Sequence, residues 1–595
     1  MPAERRTLDA TPAGEPHFCH NRREYTPGVA AVSTIPSPGP TAVPTPLSAE
    51  EPDAATLART AEQTASALLA PAAPHRLADV VPAPQHVQPD PTADWALPAD
   101  AVIVASADPA ALAVAEQLAQ LLRPATGYPL PVTDATRPEP AGAIALVLDG
   151  SADLGAEGYS ADLGAEGYRL DIATDGVRVT AATAAGLFYG VQTLRQLLPA
   201  GIESPSPVTA CWALPGGTIT DAPRFSYRGA MLDVARHFFA VEDVLRVVDH
   251  LARYKLNHLH LHLTDDQGWR IAVDSWPKLT TVGGTTEVGG GPGGHYTKAD
   301  YARIVSYAAA RHITVVPEID LPGHTNSALV AYPELAPDKT APPPYTGTEV
   351  GFSYVDPADE RTYDFVADVL GEVAALTPGP WLHIGGDEAF KVKGEVYTGF
   401  VERVQRIVAD LGKTVVGWHQ LAPAAHLDGR VLQWWGTNGE DPTTVDAVRR
   451  GARLIVSPGN HAYLDMKYAP DTPIGHDWAG LIDVRKAYDW DPGTHVAGVP
   501  AEAVLGVEAP LWTESVTSLA DIELLLLPRL PAIAELGWSP RASHDWVGFR
   551  DRLAAQGPRW TTAGITFHHA PEIPWPTAPT IPTQRTTPQP DTAKP

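Results

Sequence analysis

The chain has 595 residues, enough for two or three domains with sizeable cores, and its 44% apolar content is ordinary for a globular protein. A net charge of −27 argues against nucleic acid and anionic membranes as partners. Two distant cysteines, Cys19 and Cys211, make neither a disulfide framework nor a zinc ribbon.

Residues 1–79 are rich in Pro, Ala, Thr and Ser, as in IPSPGPTAVPTP, and read as mostly disordered, with one peripheral helix expected over 54–69. An arginine pair near the start has no apolar h-region behind it, so no signal peptide is recognised. The expectation is a cytoplasmic protein by default, or a secreted one if the true start lies elsewhere. No apolar run approaches the roughly 20 residues of a membrane-spanning helix.

Residues 80–222 predict a small α+β domain. AVIVAS reads as a strand, PAALAVAEQLAQLLRPATG as a helix stopped at Gly127, and AIALVLDG as a second strand. YRLDIATDGVRVTAAT reads as a hairpin turning at Asp175-Gly176, and AAGLFYGVQTLRQLLP as a closing helix. Between them SADLGAEGY stands twice, at 151–159 and 160–168. Two nine-residue copies are too few for a solenoid and read as a duplication that lengthens a surface loop.

From 223 to 565 eight apolar runs recur, most followed by helical stretches. They are YRGAMLDVA, LNHLHLHLTDD, ITVVPEID, WLHIGGDE, TVVGWHQL, VLQWWG, RLIVSPGN and VLGVEAPLW. Alternation of that kind predicts parallel strands, and eight of them an α/β fold of the (β/α)8 TIM-barrel type. Only about ten residues separate the fifth and sixth runs, little space for a helix. Residues 566–595 form a Pro/Thr-rich tail expected to be disordered.

Chemistry in such a barrel gathers where the strands end. Run one is preceded by Arg228 and followed by Asp233, Arg236 and His237; run two ends in Asp265-Asp266; run three in Glu318, Asp320 and His324. Run four ends in Asp387-Glu388 after Gly385 and Gly386, which let the chain bend so that neighbouring acids can share a site. Runs five to eight carry Trp418, Trp434-Trp435, then Tyr463 and Asp465, then Trp512 and Glu514. Tryptophans around carboxylates suit a sugar, whose C–H faces stack on indoles while its hydroxyls take charged hydrogen bonds.

The stretches PGHT, HIGGDEAF, GWHQL, NHAYLDMKY and GVEAPLWTE resemble the motifs of glycoside hydrolase family 20, the β-N-acetylhexosaminidases. The resemblance spans roughly residues 80 to 560. It implies exo-acting, retaining hydrolysis of terminal β-linked N-acetylhexosamine, with the substrate's own 2-acetamido oxygen attacking C1 to form an oxazolinium ion. In that reading Glu388 is the general acid and base, Asp387 orients the acetamido N–H, and Tyr463 donates to the acetamido oxygen. Trp418, Trp435 and Trp512 wall the pocket, Arg228 and Glu514 grip ring hydroxyls, and Asp465 helps at O4 or O6. Asp265 and His324 resemble the pair behind the acid, although Asp265 also fits a helix cap and His324 a core histidine. Trp434 and His383 are expected to be structural. No cofactor or metal is implied, the partner is an oligosaccharide, and neither the natural glycan nor the oligomeric state is legible.

Two other classes fit parts of the sequence. His258, His260 and His262 alternate along run two as metal ligands on a barrel strand can, or as one packed strand face does. A catalytically dead sugar-binding protein would be expected to have lost the acid, yet Asp387, Glu388 and Tyr463 are present.

Overall fold

The structure, a computed structural model, describes residues 76–135, 139–150, 163–425 and 427–576. The helix expected at 54–69, the first copy of the repeat and the tail from 577 lie outside the described residues.

The first domain is built on β1 (His86–Pro89), β2 (Trp95–Ala96), β3 (Ile103–Ala105), β4 (Val132–Asp134), β5 (Ala143–Leu148), β6 (Tyr168–Ala173), β7 (Gly176–Ala181), β8 (Ala213–Leu214) and β9 (Gly217–Asp221). Seven of these form one sheet in the order β1-β9-β6-β7-β5-β3-β4, with β6 and β7 the expected antiparallel hairpin. Helices Pro109–Thr126 and Ala184–Leu197 pack on each other and on this sheet. The first starts where the Asp108 side chain accepts the N–H groups of Ala110 and Ala111 and Pro109 opens the turn. It stops at Gly127, whose φ of 68° an L side chain rarely adopts and whose N–H returns to Arg123. Its buried stripe of Ala111, Val114, Ala115, Leu118 and Leu122 repeats at helical spacing.

The eight apolar runs all become strands: β10 (Tyr227–Asp233), β11 (His258–His262), β12 (Thr314–Glu318), β13 (Trp381–His383), β14 (Thr414–Trp418), β15 (Val431–Trp434), β16 (Arg453–Val456) and β17 (Val504–Leu511). They pair in parallel and close into a barrel, β17 against β10. Among the described residues between β14 and β15 the connection holds only a 3-10 turn, His419–Leu421, in place of a helix of the ideal pattern. The twelve residues of this connection, 419–430, are at the lower limit for a crossover between parallel strands and leave little length for a full helix.

The barrel interior is layered. At the N-terminal end of the strands Tyr227 stacks on His258 (4.1 Å between centroids) and His258 on Trp381 (4.9 Å), beside Val416, Val431 and Ile455. The next layer is ionic, with His260, Glu318, His383, Gln433 and Glu508 all buried. The three alternating histidines of β11 thus belong to successive layers of one inward face.

The first domain docks at the N-terminal end of the barrel. Lys255 pairs with Asp221 at 3.0 Å and donates to Tyr168, while the Trp538 indole also donates to Asp221. Glu166, in the second copy of the repeat, accepts from Arg228, Asn257 and Tyr189. Within 163–168, Leu163, Gly167 and Tyr168 are buried and Glu166 is tied to the barrel, so only Gly164 and Ala165 are exposed as a surface loop would be. Packing also extends further than composition suggests at both ends. Leu77 is buried, and beyond residue 566 Ala570 and Ile573 are buried while Trp575 packs at a tilt against Trp560 and Phe567.

Candidate active site

The turn after β13 places the two adjacent acids. Gly385 (φ 64°) and Gly386 (φ 102°) carry the chain through conformations that disfavour side chains. A Cβ on Gly385 would lie 1.7 Å from Asp320 Oδ1, so the space a side chain would fill is taken by a carboxylate. Asp320 Oδ1 accepts the Gly386 N–H at 3.0 Å. Glu388 itself sits at φ 46°, an unusual place for a glutamate. The result turns Asp387 and Glu388 toward one imidazole: His324 Nε2 lies 3.7 Å from Asp387 Oδ2 and 3.5 Å from Glu388 Oε2.

Behind that imidazole, His324 Nδ1 is 3.2 Å from Asp265 Oδ1. Asp265 also pairs through Oδ2 with Arg236 and His262, each at 2.8 Å. These cations hold the Asp265 carboxyl well below its ordinary range against the opposing effect of burial. His324 is raised despite its burial, because Asp265 and Asp387 face it. Asp387 is pushed up to about 6, chiefly by burial and then by Glu388 and Glu318, while His324 pulls the other way. Burial and Asp387 also raise Asp320, its hydrogen-bonding neighbour, so the two buried carboxyls titrate as a pair.

The aromatic wall is continuous. Trp418 and Trp512 lie 5.8 Å apart, and Tyr463 packs against Trp512 (6.4 Å) and edge-on to Trp478 (5.9 Å). Trp435 meets Trp478 edge-on at 6.0 Å and donates its indole N–H to Gln420. Trp434 is fully buried, whereas Trp435 is half-buried. Glu514 contacts His476 at 3.3 Å. Asp465 is buried with neither oxygen hydrogen-bonded, as is Asp387 Oδ1. Burial and the nearby Glu514 push Asp465 up to about 7. Buried acceptors without donors, beside aromatic faces, suit a ligand rich in N–H and O–H groups.

The structure thus gathers Asp265, His324, Asp387 and Glu388 around one imidazole and Trp418, Trp435, Tyr463 and Trp512 into a wall, with Asp465 and Glu514 beside it. It does not bring Arg228 there. Arg228 is the second residue of β10, at the opposite end of the barrel, and its guanidinium binds Glu166 and the carbonyls of Phe225 and Lys255. The arginine at the site is Arg236, which lies 4.8 Å over the Trp512 ring and contacts Asp233 and Asp265. Its position after the strand, and not before it, was the available signal. Asp320, like Arg236, stands at a strand tip that the sequence marks but was given no role there, and Trp478 was missed because it lies in a loop that no periodicity marks.

His262 has both ring nitrogens on carboxylate oxygens, Asp265 at 2.8 Å and Glu318 at 2.5 Å. A doubly hydrogen-bonded imidazolium has no lone pair for a metal, which counts against His262 as a metal ligand.

Comparison with known proteins gives a consistent picture. The family model described as Glycosyl hydrolase family 20, catalytic domain, matches residues 225–541, and that described as Glycosyl hydrolase family 20, domain 2, matches residues 77–222. A β-N-acetylhexosaminidase of Cellulomonas fimi is 42% identical over 497 residues, spanning 84% of this chain and 97% of that protein. The structure of Streptomyces plicatus N-acetyl-β-hexosaminidase in complex with Thio-NAglucal superposes with a TM-score of 0.81 at 53% identity, covering 85% of this chain and 99% of that one. The Streptomyces coelicolor A3(2) β-N-acetylhexosaminidase gives 0.81, 53%, 85% and 100% for the same quantities. With both domains matched and these relatives aligned over nearly their whole length, the chain belongs to glycosyl hydrolase family 20.

Proposed function

We infer that Glu388 is the general acid and then the general base of a β-N-acetylhexosaminidase, and that Asp387 steadies the acetamido group that serves as nucleophile. The enzyme removes terminal non-reducing β-linked N-acetylhexosamine with retention, through an oxazolinium intermediate. The observation that carries the residue assignment is the single imidazole that reaches both adjacent acids. Two carboxyls on one flank cannot straddle a glycosidic bond at the roughly 5–5.5 Å that an ordinary retaining pair requires. One acid is therefore free for proton transfer and the other for the acetamide.

Each neighbouring side chain has a matching task. Asp387 Oδ1, buried without a donor, accepts the acetamido N–H and stabilises the positive charge that develops as the oxygen attacks C1. The Tyr463 hydroxyl donates to that oxygen. Trp418, Trp435 and Trp512 enclose the acetamide and the sugar face, while Arg236, Asp465 and Glu514 bind hydroxyls. His324 and Asp265 hold Glu388 in place and set the charge beside it.

Glu388→Gln should lower kcat about 10²–10⁴-fold on substrates with poor leaving groups, the usual worth of general acid catalysis. Aryl leaving groups that need little protonation should lose much less in the glycosylation step. Equal losses for both classes in pre-steady-state measurements would remove Glu388 from the acid role. Hydrolysis of a chromogenic N-acetylglucosaminide by the unaltered protein separates this reading from that of a dead sugar-binding protein.

A further inference from the structure

The barrel beneath the active site holds more ionisable groups than the reaction consumes. Glu318, at the end of β12 and fully buried, is ringed by side chains from three other strands, of which the His262 imidazole and the Trp418 indole hydrogen-bond to it. Its Oε2 lies 2.5 Å from His262 Nδ1 and 3.0 Å from His260 Nε2. Its Oε1 accepts the Trp418 indole N–H at 2.9 Å and lies 2.8 Å from His383 Nδ1. His260 Nδ1 continues the chain to Glu508 at 2.9 Å, and Glu508 also accepts from Gln433 and Tyr227. At the upper end, His262 Nε2 reaches Asp265, the residue behind His324 and Glu388.

The geometry of Asp265 shows what His262 does. Oδ1 faces His324 and also takes the Asp266 N–H at 2.6 Å, while Oδ2 takes Arg236 and His262. A carboxylate turns freely about one bond unless donors hold both oxygens. Without His262, Oδ2 would keep only Arg236, a guanidinium shared with Asp233, and the carboxylate would be held less firmly against a tilt away from His324.

We propose that His262 and Glu318 are positioning residues for proton transfer: His262, as an imidazolium bridging Asp265 and Glu318, fixes the Asp265 carboxylate that holds His324 against Glu388. Glu318 is the shared anchor. Through His262 it steadies the acid side of the site, and through the Trp418 indole it steadies the acetamide wall. The groups facing His262 are Asp265, Glu318 and Asp320, with the Trp512 edge 4.9 Å away. Asp265 is faced in addition by Arg236, His324 and Asp266. Four buried carboxylates, Asp233, Asp265, Glu318 and Glu508, are faced by Arg236 and His324 and, from β11, by His260 and His262. Both of these β11 histidines are raised above their ordinary range by these carboxylates against the effect of burial, His260 to about 9. Charge balance of this kind lets the ions stay buried.

The proposal rests on Glu388 being the proton donor, and a pair of variants tests it separately. Asn at 262 can reach Glu318 but not Asp265; Gln can reach Asp265 but carries no charge. His262→Asn should lower kcat on chitobiose, a poor leaving group, about tenfold more than on a dinitrophenyl N-acetylglucosaminide, a fraction of the full worth of acid catalysis. His262→Gln should retain more activity on chitobiose than His262→Asn. A merely structural role predicts equal losses on both substrates, and that result, beside a leaving-group-sensitive Glu388→Gln, would overturn this proposal while leaving the acid in place. A leaving-group-insensitive Glu388→Gln would instead overturn the acid assignment. One measurement needs no variant to fold. In ¹⁵N-histidine-labelled wild-type enzyme, His262, identified by its contact with the Trp512 ring, should keep both N–H protons from about pH 5 to about pH 8, across the range where a free imidazole titrates. A singly protonated His262 within that range would overturn the proposal.

Discussion

Two arginines on the same strand-and-loop segment do opposite jobs. Arg236 lies among the site carboxylates and against Trp512, so Arg236→Ala should lower kcat/KM by about 10–100-fold, as the loss of a charged hydrogen bond does. Arg228 is buried at the far end of the barrel with Glu166 as its counter-charge. Arg228→Ala should cost about 3–5 kcal/mol of stability, the usual effect of breaking a buried pair, with KM unchanged in the folded enzyme. Thermal melts beside steady-state kinetics separate them, and a raised KM in Arg228→Ala would restore the sequence-based role. Asp465 tests the electrostatics of the pocket. Its folded carboxyl is pushed up to about 7, whereas an unfolded one titrates near 3.9. Between those values the folded protein keeps a proton that the unfolded chain has released. The group's contribution to stability is therefore present at low pH and lost as pH rises through about 7. Asp465→Asn cannot ionise, so its stability relative to wild type should rise from pH 5 to pH 8, by at most about 1.4 kcal/mol per unit. A constant gap across that range would show that Asp465 is not held in an unusual state.

The strands of the barrel were legible because each is a short apolar run bounded by turns, and the site residues because they stand where those runs end. What failed at this scale was direction along a strand. Arg228 stands at the start of the run and Arg236 just beyond its end, and only the C-terminal end faces the site. Trp478 was illegible for a different reason, since the long connection after β16 positions it and no local pattern does. The missing helix between β14 and β15 was readable from spacing alone. The repeat was read as a surface loop, yet the described end of its second copy enters β6 and carries Glu166 to Arg228. Because the copies are identical, removing 160–168 leaves the same nine residues before Arg169, with Glu157 in the place of Glu166. That deletion should keep Tm and activity close to wild type. Glu166→Ala in the full chain should lower Tm, because it leaves the Arg228 guanidinium buried without a carboxylate. A deletion that unfolds the protein would show that the two copies are not interchangeable.

Across the whole molecule, the first domain meets the barrel at the N-terminal ends of its strands while the acids gather at the C-terminal ends. The domain's contacts with the barrel, among them Lys255 with Asp221 and Arg228 with Glu166, brace the scaffold at the end away from the pocket. The pocket in turn is held from below by the ionic layer around Glu318, so stability and chemistry meet inside the barrel. The central claim is that the nucleophile belongs to the substrate. It is tested most directly by comparing kcat on an aryl β-N-acetylglucosaminide and on the matching aryl β-glucoside, with a titration of the thiazoline derived from N-acetylglucosamine. Loss of binding alone would raise KM, whereas loss of the nucleophile must also lower kcat. The expected result is a collapse of kcat on the 2-hydroxyl substrate and binding of the thiazoline far tighter than substrate, as intermediate mimics bind. Comparable kcat on both substrates without thiazoline inhibition would contradict substrate assistance and require a protein carboxylate as the nucleophile.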